Sequence, residues 1–118
     1  MGTFTQHIGI AASRSGPFLE LDAVVDTGAT YTFVPGLLLR RLGVEPDEER
    51  EFEIANGAVV RRGVAELAVR LGEGIRYTLV VFGDEGARPL LGAVTLETFG
   101  LAVDPVHQRL VSVRGLLL

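Results

Sequence analysis

The run Ala23-Val24-Val25-Asp26-Thr27-Gly28-Ala29-Thr30 constrains this chain more than any other stretch. Just upstream, Phe18, Glu20 and Asp22 alternate with Leu19, Leu21 and Ala23, the period-two pattern of a strand with one wet face. Ala23, Val24 and Val25 then break the alternation and are apolar on both faces, so the strand enters the interior at its end. It delivers Asp26 onto a tight Thr-Gly turn, and the β-branched and aromatic residues 31–34 resume extended structure at once. The fold must therefore hold a carboxylate at the inner end of a buried strand.

The remainder reads as short strands between glycine-rich turns. Residues 3–12 form a first strand with Phe4, Ile8 and Ile10 as its apolar positions, and 13–17 form a turn. Pro35 before and Gly43 after bracket a short helix over 36–42. Residues 45–53 are strongly acidic and read as a solvated loop. Residues 52–60 read as a hairpin in which Asn56-Gly57 supplies the positive φ angles of a two-residue turn. Its return arm runs on through Val64, Leu67, Val69 and Leu71, and after Gly72-Glu73-Gly74 another strand covers 75–82. A loop over 83–88 leads to Pro89-Leu90-Leu91-Gly92 and a second short helix, 93–99, closed by Gly100. Strands at 101–103 and 109–113 flank a turn at Asp104-Pro105. The pattern predicts an all-β fold, a closed barrel with one or two short helices.

Length and composition bound what such a barrel can do. The 118 residues, 47% of them hydrophobic, make one domain spanning 1–118 with a modest core. There is no cysteine, which excludes disulfides and thiolate metal sites, and His7 and His107 have no ligand-spaced partner, so no metal and no other cofactor is expected. A net charge of −4 without a basic stripe argues against nucleic acid. No apolar run reaches the length of a membrane span, and residues 1–12 carry no positive charge for a signal peptide. Met1-Gly2 opens like a myristoylation site, but Gln6 stands where that pattern takes Ser or Thr. The chain reads as soluble and cytoplasmic, away from membranes.

Asp26 is the candidate catalytic residue. Gly28 lets the backbone turn so that N–H groups point at the carboxylate, Thr27 offers a hydroxyl to lock the loop, and Ala29 is small enough to leave room for a substrate backbone. Asp26 has a plainer reading too, as a side chain capping its own turn.

Three elements together resemble the retropepsin-like aspartic peptidases, the retroviral-type, single-domain class, and among them a bacterial-type member. They are Val24-Val25-Asp26-Thr27-Gly28-Ala29-Thr30, the hairpin around Ala55-Asn56-Gly57, and Pro89-Leu90-Leu91-Gly92 followed by a helix. The order and spacing cover roughly residues 18–99. Two positions depart from the pattern: many retroviral members place an Asp and an Arg where this chain has Thr30 and Ala93, and both are absent together, so no buried charge is stranded.

The resemblance implies a closed acid-protease-like barrel whose active site lies at a homodimer interface. Only one Asp-Thr-Gly occurs in the chain, so a pair of carboxylates needs two chains. It implies an aspartic endopeptidase hydrolysing peptide or protein substrate with water activated between two Asp26 side chains, the Thr27 hydroxyls meeting across the two-fold axis. It also implies a flap over 52–62 whose Ile54, Ala55, Asn56, Gly57, Ala58 and Val59 meet substrate; the apolar 116–118 tail reads equally as a dimer strand or as a frayed end.

Two other readings stay open: a non-catalytic peptide-binding module on the same dimeric fold, and an unrelated barrel in which Asp26 is only a turn cap. Tyr31 and Phe33 could line a substrate pocket but are expected in the core, Val60 as a subsite or cross-strand partner, Asp104 as a turn residue, and His7 and His107 as exposed. Arg61 and Arg62 are expected on a solvated edge or against the acidic loop of a neighbouring chain.

Overall fold

A computed structural model describes residues 3–117. Met1-Gly2 and the last residue of the 116–118 tail lie outside it. Nine strands and two helices are present among the described residues: β1 (Thr5–Ala11), β2 (Leu19–Val25), β3 (Thr32–Pro35), α1 (Gly36–Arg41), β4 (Glu48–Glu53), β5 (Val59–Leu71), β6 (Gly74–Gly83), β7 (Leu90–Leu91), α2 (Ala93–Thr98), β8 (Leu101–Asp104) and β9 (Arg109–Ser112).

The main sheet runs β1-β2-β7-β3-β6-β5-β4, and β1 also pairs with β5. That extra pairing closes six strands into a barrel and leaves β4 outside it as a free edge. The all-β barrel with two short helices is the expected architecture. Ile8, Ile10, Ala23, Val25, Val34, Leu67, Val69, Val80, Leu91 and Leu96 pack in one buried cluster inside it. Alternate spacing along the strands points the strand residues inward, and Leu96 joins them from α2. β8 and β9 form a separate two-stranded sheet, from which Leu101, Val103 and Leu110 reach the same core.

Two expectations need correction. The acidic stretch is a loop only at its start; residues 48–53 are β4, paired antiparallel with β5 from Glu48↔Val64 to Glu53↔Val59. The strand escapes recognition because it presents no apolar face, only Phe52 being half-buried. Its register sets Glu51 opposite Arg61, and Arg61 reaches Glu49 at 3.4 Å and Glu51 at 3.9 Å. Arg61 thus meets the acidic segment of its own chain, and Arg62 meets Asp84 at 2.9 Å.

The turn at the hairpin tip is also one residue longer than expected. Ile54 and Ala58 close the ladder (Ile54 N–H to the Ala58 carbonyl, 2.9 Å), so Ala55-Asn56-Gly57 is a three-residue loop. The Gly57 N–H donates back to the Ile54 carbonyl at 2.8 Å. Gly57 alone has positive φ, 84°, while Asn56 keeps ordinary backbone and accepts the Ala58 N–H on Oδ1 at 2.9 Å. The geometry is a tight turn followed by one left-handed glycine, a common three-residue hairpin.

Candidate active site

Asp26 stands where β2 ends. Its strand is gripped on both sides there. Val25 N–H donates to the Phe4 carbonyl at 2.9 Å, while Val24 N–H and Asp26 N–H donate to the carbonyls of Pro89 and Leu91 at 2.9 and 3.1 Å. The short parallel pairing with β7 (Val24↔Leu90, Val25↔Leu91) explains why the apolar positions crowd at this end of the strand. Beyond it the chain turns, and Ala29 N–H closes back on the Asp26 carbonyl at 3.2 Å.

The carboxylate is oriented by one backbone donor: Gly28 N–H meets Asp26 Oδ1 at 2.9 Å. Gly28 does this without a left-handed φ. The glycine serves here through closeness, since a Cβ at this position would press on Oδ1 at 3.2 Å. Asp26 and Ala29 are half-buried, whereas Thr27 and Gly28 are exposed. Among the described residues the Thr27 hydroxyl has no partner within the chain, and it faces solvent.

The other side of the loop is fastened to the start of α2. Ala93 N–H donates to the Ala29 carbonyl and Val94 N–H to the Thr30 carbonyl, both at 2.9 Å. A helix leaves its first N–H groups without intrahelical partners, and here the Asp26 loop supplies them. Thr30 and Ala93, the two positions that depart from the retroviral pattern, thus sit in an uncharged clamp of backbone bonds. Gly92 allows it: a Cβ there would lie 2.6 Å from the Tyr31 carbonyl carbon and 2.7 Å from its oxygen.

A groove of about 660 Å³ opens beside the loop. Gly28, Ala29 and Thr30 form one end; Tyr31 and Phe33 of the β3 segment form the floor; Phe52, Ile54, Ala55 and Val60 of the hairpin form one wall; and Val81, Gly83, Asp84 and Ala87 complete it. Tyr31 and Phe33 are therefore groove residues, half-buried, and not core as expected. β3 alternates, so Thr32 and Val34 take the inward positions and leave the aromatics on the groove side. Tyr31 meets Phe52 edge to face, with ring centroids 6.0 Å apart. Of the hairpin residues singled out from sequence, Ile54 and Ala55 line the groove, whereas Asn56, Gly57, Ala58 and Val59 lie exposed at or beyond the tip. Phe52 and Arg62, at the two ends of the hairpin, join the lining through the register of β4 on β5, and Asp84, just after β6, joins it with nothing local to announce it. The lining begins at Gly28 and stops short of the Asp26 carboxylate.

His7 is held above its ordinary pKa by Asp22 and then Glu20, at 3.0 and 2.8 Å. Glu20 is lowered by Arg70 and then His7, and Asp104 by His107. Asp104 is the turn residue expected, accepting the Val106 and His107 N–H groups on Oδ1. Among the described residues no group of three His, Cys, Asp or Glu side chains is arranged to hold a metal, and no helix is long and apolar enough to cross a membrane.

The family described as "gag-polyprotein putative aspartyl protease" matches residues 19–98, which includes the Asp26 loop, the hairpin and all of α2. The solution structure of the simian foamy virus (mac) protease is similar in fold, with a TM-score of 0.58 and 19% identity over 80% of this chain and 92% of that one. No curated protein matches the chain. The family match and the viral structure agree with a retropepsin-like barrel, and neither supports the bacterial-type membership expected above.

Proposed function

Since the chain belongs to the gag-polyprotein aspartyl protease family, we propose that it is an aspartic endopeptidase acting as a homodimer, with one Asp26 contributed by each chain. The observation that carries this reading is the fixed carboxylate. Asp26 sits at a strand end gripped from both sides, with Gly28 N–H on Oδ1 and a peptide-sized groove beginning at the next glycine. Each chain carries a single such loop, and its groove ends before the carboxylate, so a second chain would both double the acid and extend the groove across it.

The chemistry follows from two carboxylates sharing one proton. Like charges at close range do not both ionise, so one carboxyl stays protonated while the other is an anion, and the resulting pKa values belong to the pair. The anion takes a proton from a water molecule as its oxygen attacks the scissile carbonyl carbon. The protonated partner gives its proton to the carbonyl oxygen, forming a neutral tetrahedral diol. Collapse of the diol returns one hydroxyl proton to a carboxylate, passes the other carboxyl's proton to the leaving nitrogen, and breaks the C–N bond. Ala29 leaves room for the substrate backbone, the Thr27 hydroxyls would pair across the two-fold axis, and the hairpin over residues 52–62 would close on the bound peptide and exclude water. The groove wall of Tyr31, Phe33, Phe52, Ile54 and Val60 favours peptides with apolar side chains.

The test measures cleavage of denatured protein at acidic pH together with oligomeric state. Asp26→Asn should reduce cleavage by roughly a thousandfold or more while leaving the fold intact. Undiminished cleavage by Asp26→Asn, or full activity in an obligate monomer, would overturn the proposal. Peptide retention by a wild-type chain that cuts nothing would favour the binding-module alternative.

A further inference from the structure

Thr32, Thr78 and Thr95 are the buried polar residues among the described residues. They come from three different elements, β3, β6 and α2, and their hydroxyls form a row. Thr78 Oγ1 lies 3.1 Å from Thr95 Oγ1, Thr95 Oγ1 lies 2.6 Å from Thr32 Oγ1, and Thr32 Oγ1 accepts the Gly92 N–H at 3.0 Å. Valine has the same shape and would fill these core positions without hydroxyls to satisfy, so packing alone does not call for threonine. Thr98, on the same helix, shows the usual local habit by donating to the carbonyl of Val94 at 2.8 Å. Thr95 reaches instead to two strands.

The row ends in the middle of the clamp on the Asp26 loop. Leu91, before Gly92, accepts the Asp26 N–H; Ala93 and Val94, after it, donate to Ala29 and Thr30. We infer that Thr95 is a positioning residue, its hydroxyl relay from β6 to the Gly92 amide setting the height at which residues 91–94 hold the Asp26 carboxylate. This rests on the proteolytic reading above and names the part of the core that would tune it. Through Thr32 the relay fixes Gly92 against β3, and through Thr78 it ties the same helix turn to β6. Loss of the central hydroxyl breaks both Thr95 bonds at once; Gly92 N–H keeps Thr32 Oγ1, but that hydroxyl is no longer tied to the helix or to β6, and the segment that holds Asp26 can shift. Chemistry that needs two carboxylates and a water in one arrangement is more sensitive to such a shift than binding along the groove, most of whose lining lies outside the clamped loop.

The experiment compares Thr95→Val, Thr95→Ser, Thr78→Val and the exposed Thr98→Ala with wild type. It reads kcat and KM for peptide cleavage, and amide hydrogen exchange at Asp26, Ala93 and Val94 against that of Val69 in β5. Thr95→Val should lower kcat about ten- to hundredfold with KM within about twofold. Exchange should quicken at Asp26, Ala93 and Val94 but not at Val69. Thr95→Ser should restore both readouts, and Thr98→Ala should alter neither. An unchanged kcat, or exchange that quickens equally at Val69, would reduce Thr95 to a stabilising residue and overturn the inference. Should Thr95→Val not fold, Thr78→Val breaks only the far link and carries the same two readouts. A wild-type chain that cleaves nothing would overturn the proteolytic reading alone, and the exchange pattern would still decide whether the hydroxyl holds the loop.

Discussion

The loop that carries Asp26 and the hairpin that faces it across the groove differ in what holds each in place. The loop is fastened by uncharged bonds: the Leu91, Ala93 and Val94 backbone and, behind them, three buried threonine hydroxyls. The hairpin is held outside the barrel by one neighbouring strand and a ladder of exposed charges, with Phe52 and Val60 its half-buried apolar pair. The two regions touch through Tyr31 and Phe52. Buried bonds are strong because little competes with them, whereas exposed ion pairs are screened and contribute little. The difference suits the proposed endopeptidase, in which the acid would stay still and the hairpin would open.

The sharpest way to break this contrast is Gly92→Ala. The new methyl would stand 2.6 Å from the Tyr31 carbonyl carbon and 3.0 Å from the Thr30 carbonyl oxygen, both backbone atoms that cannot rotate away. Chemical denaturation should show a loss of at least about 3 kcal/mol. A loss under about 1 kcal/mol would mean that the clamp is far softer than its geometry implies.

Gly57→Ala probes the opposite region. Nothing lies within 4 Å of the added Cβ, so only the positive φ of 84° resists it. The expected loss is about 1 kcal/mol, with faster amide exchange confined to the hairpin. Arg61→Gln should do less still, under about 0.5 kcal/mol, because its partners Glu49 and Glu51 are as open to solvent as it is. That small difference should vanish in high salt. A salt-resistant loss would place the ladder on the same footing as the clamp and remove the contrast.

The legibility of the chain follows the same divide. The strand end at Asp26, the second apolar pair at Leu90-Leu91 and both helices are readable because each is marked by local punctuation: an abrupt apolar switch, a proline, a glycine. The loop clamp is only half visible. Gly92 stands out next to Leu91, but the threonines that back it lie 17 and 63 residues apart in the chain and look like ordinary strand and helix residues. The hairpin misleads in two ways. Asn-Gly suggests a shorter turn because the sequence does not reveal that only Gly57 needs positive φ. The acidic run hides β4 because cross-strand arginines, not an apolar face, accompany its pairing. Tyr31 and Phe33 read as core because aromatic residues beside a buried strand often are. Which side of β3 faces the groove depends on its parallel register with β6, from Thr32↔Val80 to Pro35↔Gly83.

The smallest effect belongs to a second exposed charge cluster, on β1 and β2, which should behave like the hairpin and not like the clamp. His7 stands opposite Asp22 in the strand register and bonds both Asp22 and Glu20, and Glu20 in turn pairs with Arg70. Asp22 first and Glu20 second favour the protonated imidazole and raise its pKa in the folded chain. A raised folded pKa stabilises the fold wherever the unfolded imidazole is also charged, below about pH 6.5, and that contribution is lost as pH rises through the folded value. Wild type should therefore exceed His7→Gln in unfolding midpoint below about pH 6.5, and the gap should close as pH rises through the folded value. Followed by NMR, the His7 titration should move down further in Asp22→Asn than in Glu20→Gln. It should also move in 1 M salt, where exposed pairs are screened to within about 3 Å. A gap that widens toward high pH would reverse the sign. A titration indifferent to salt would mean that this outer cluster is held as tightly as the loop beneath Asp26.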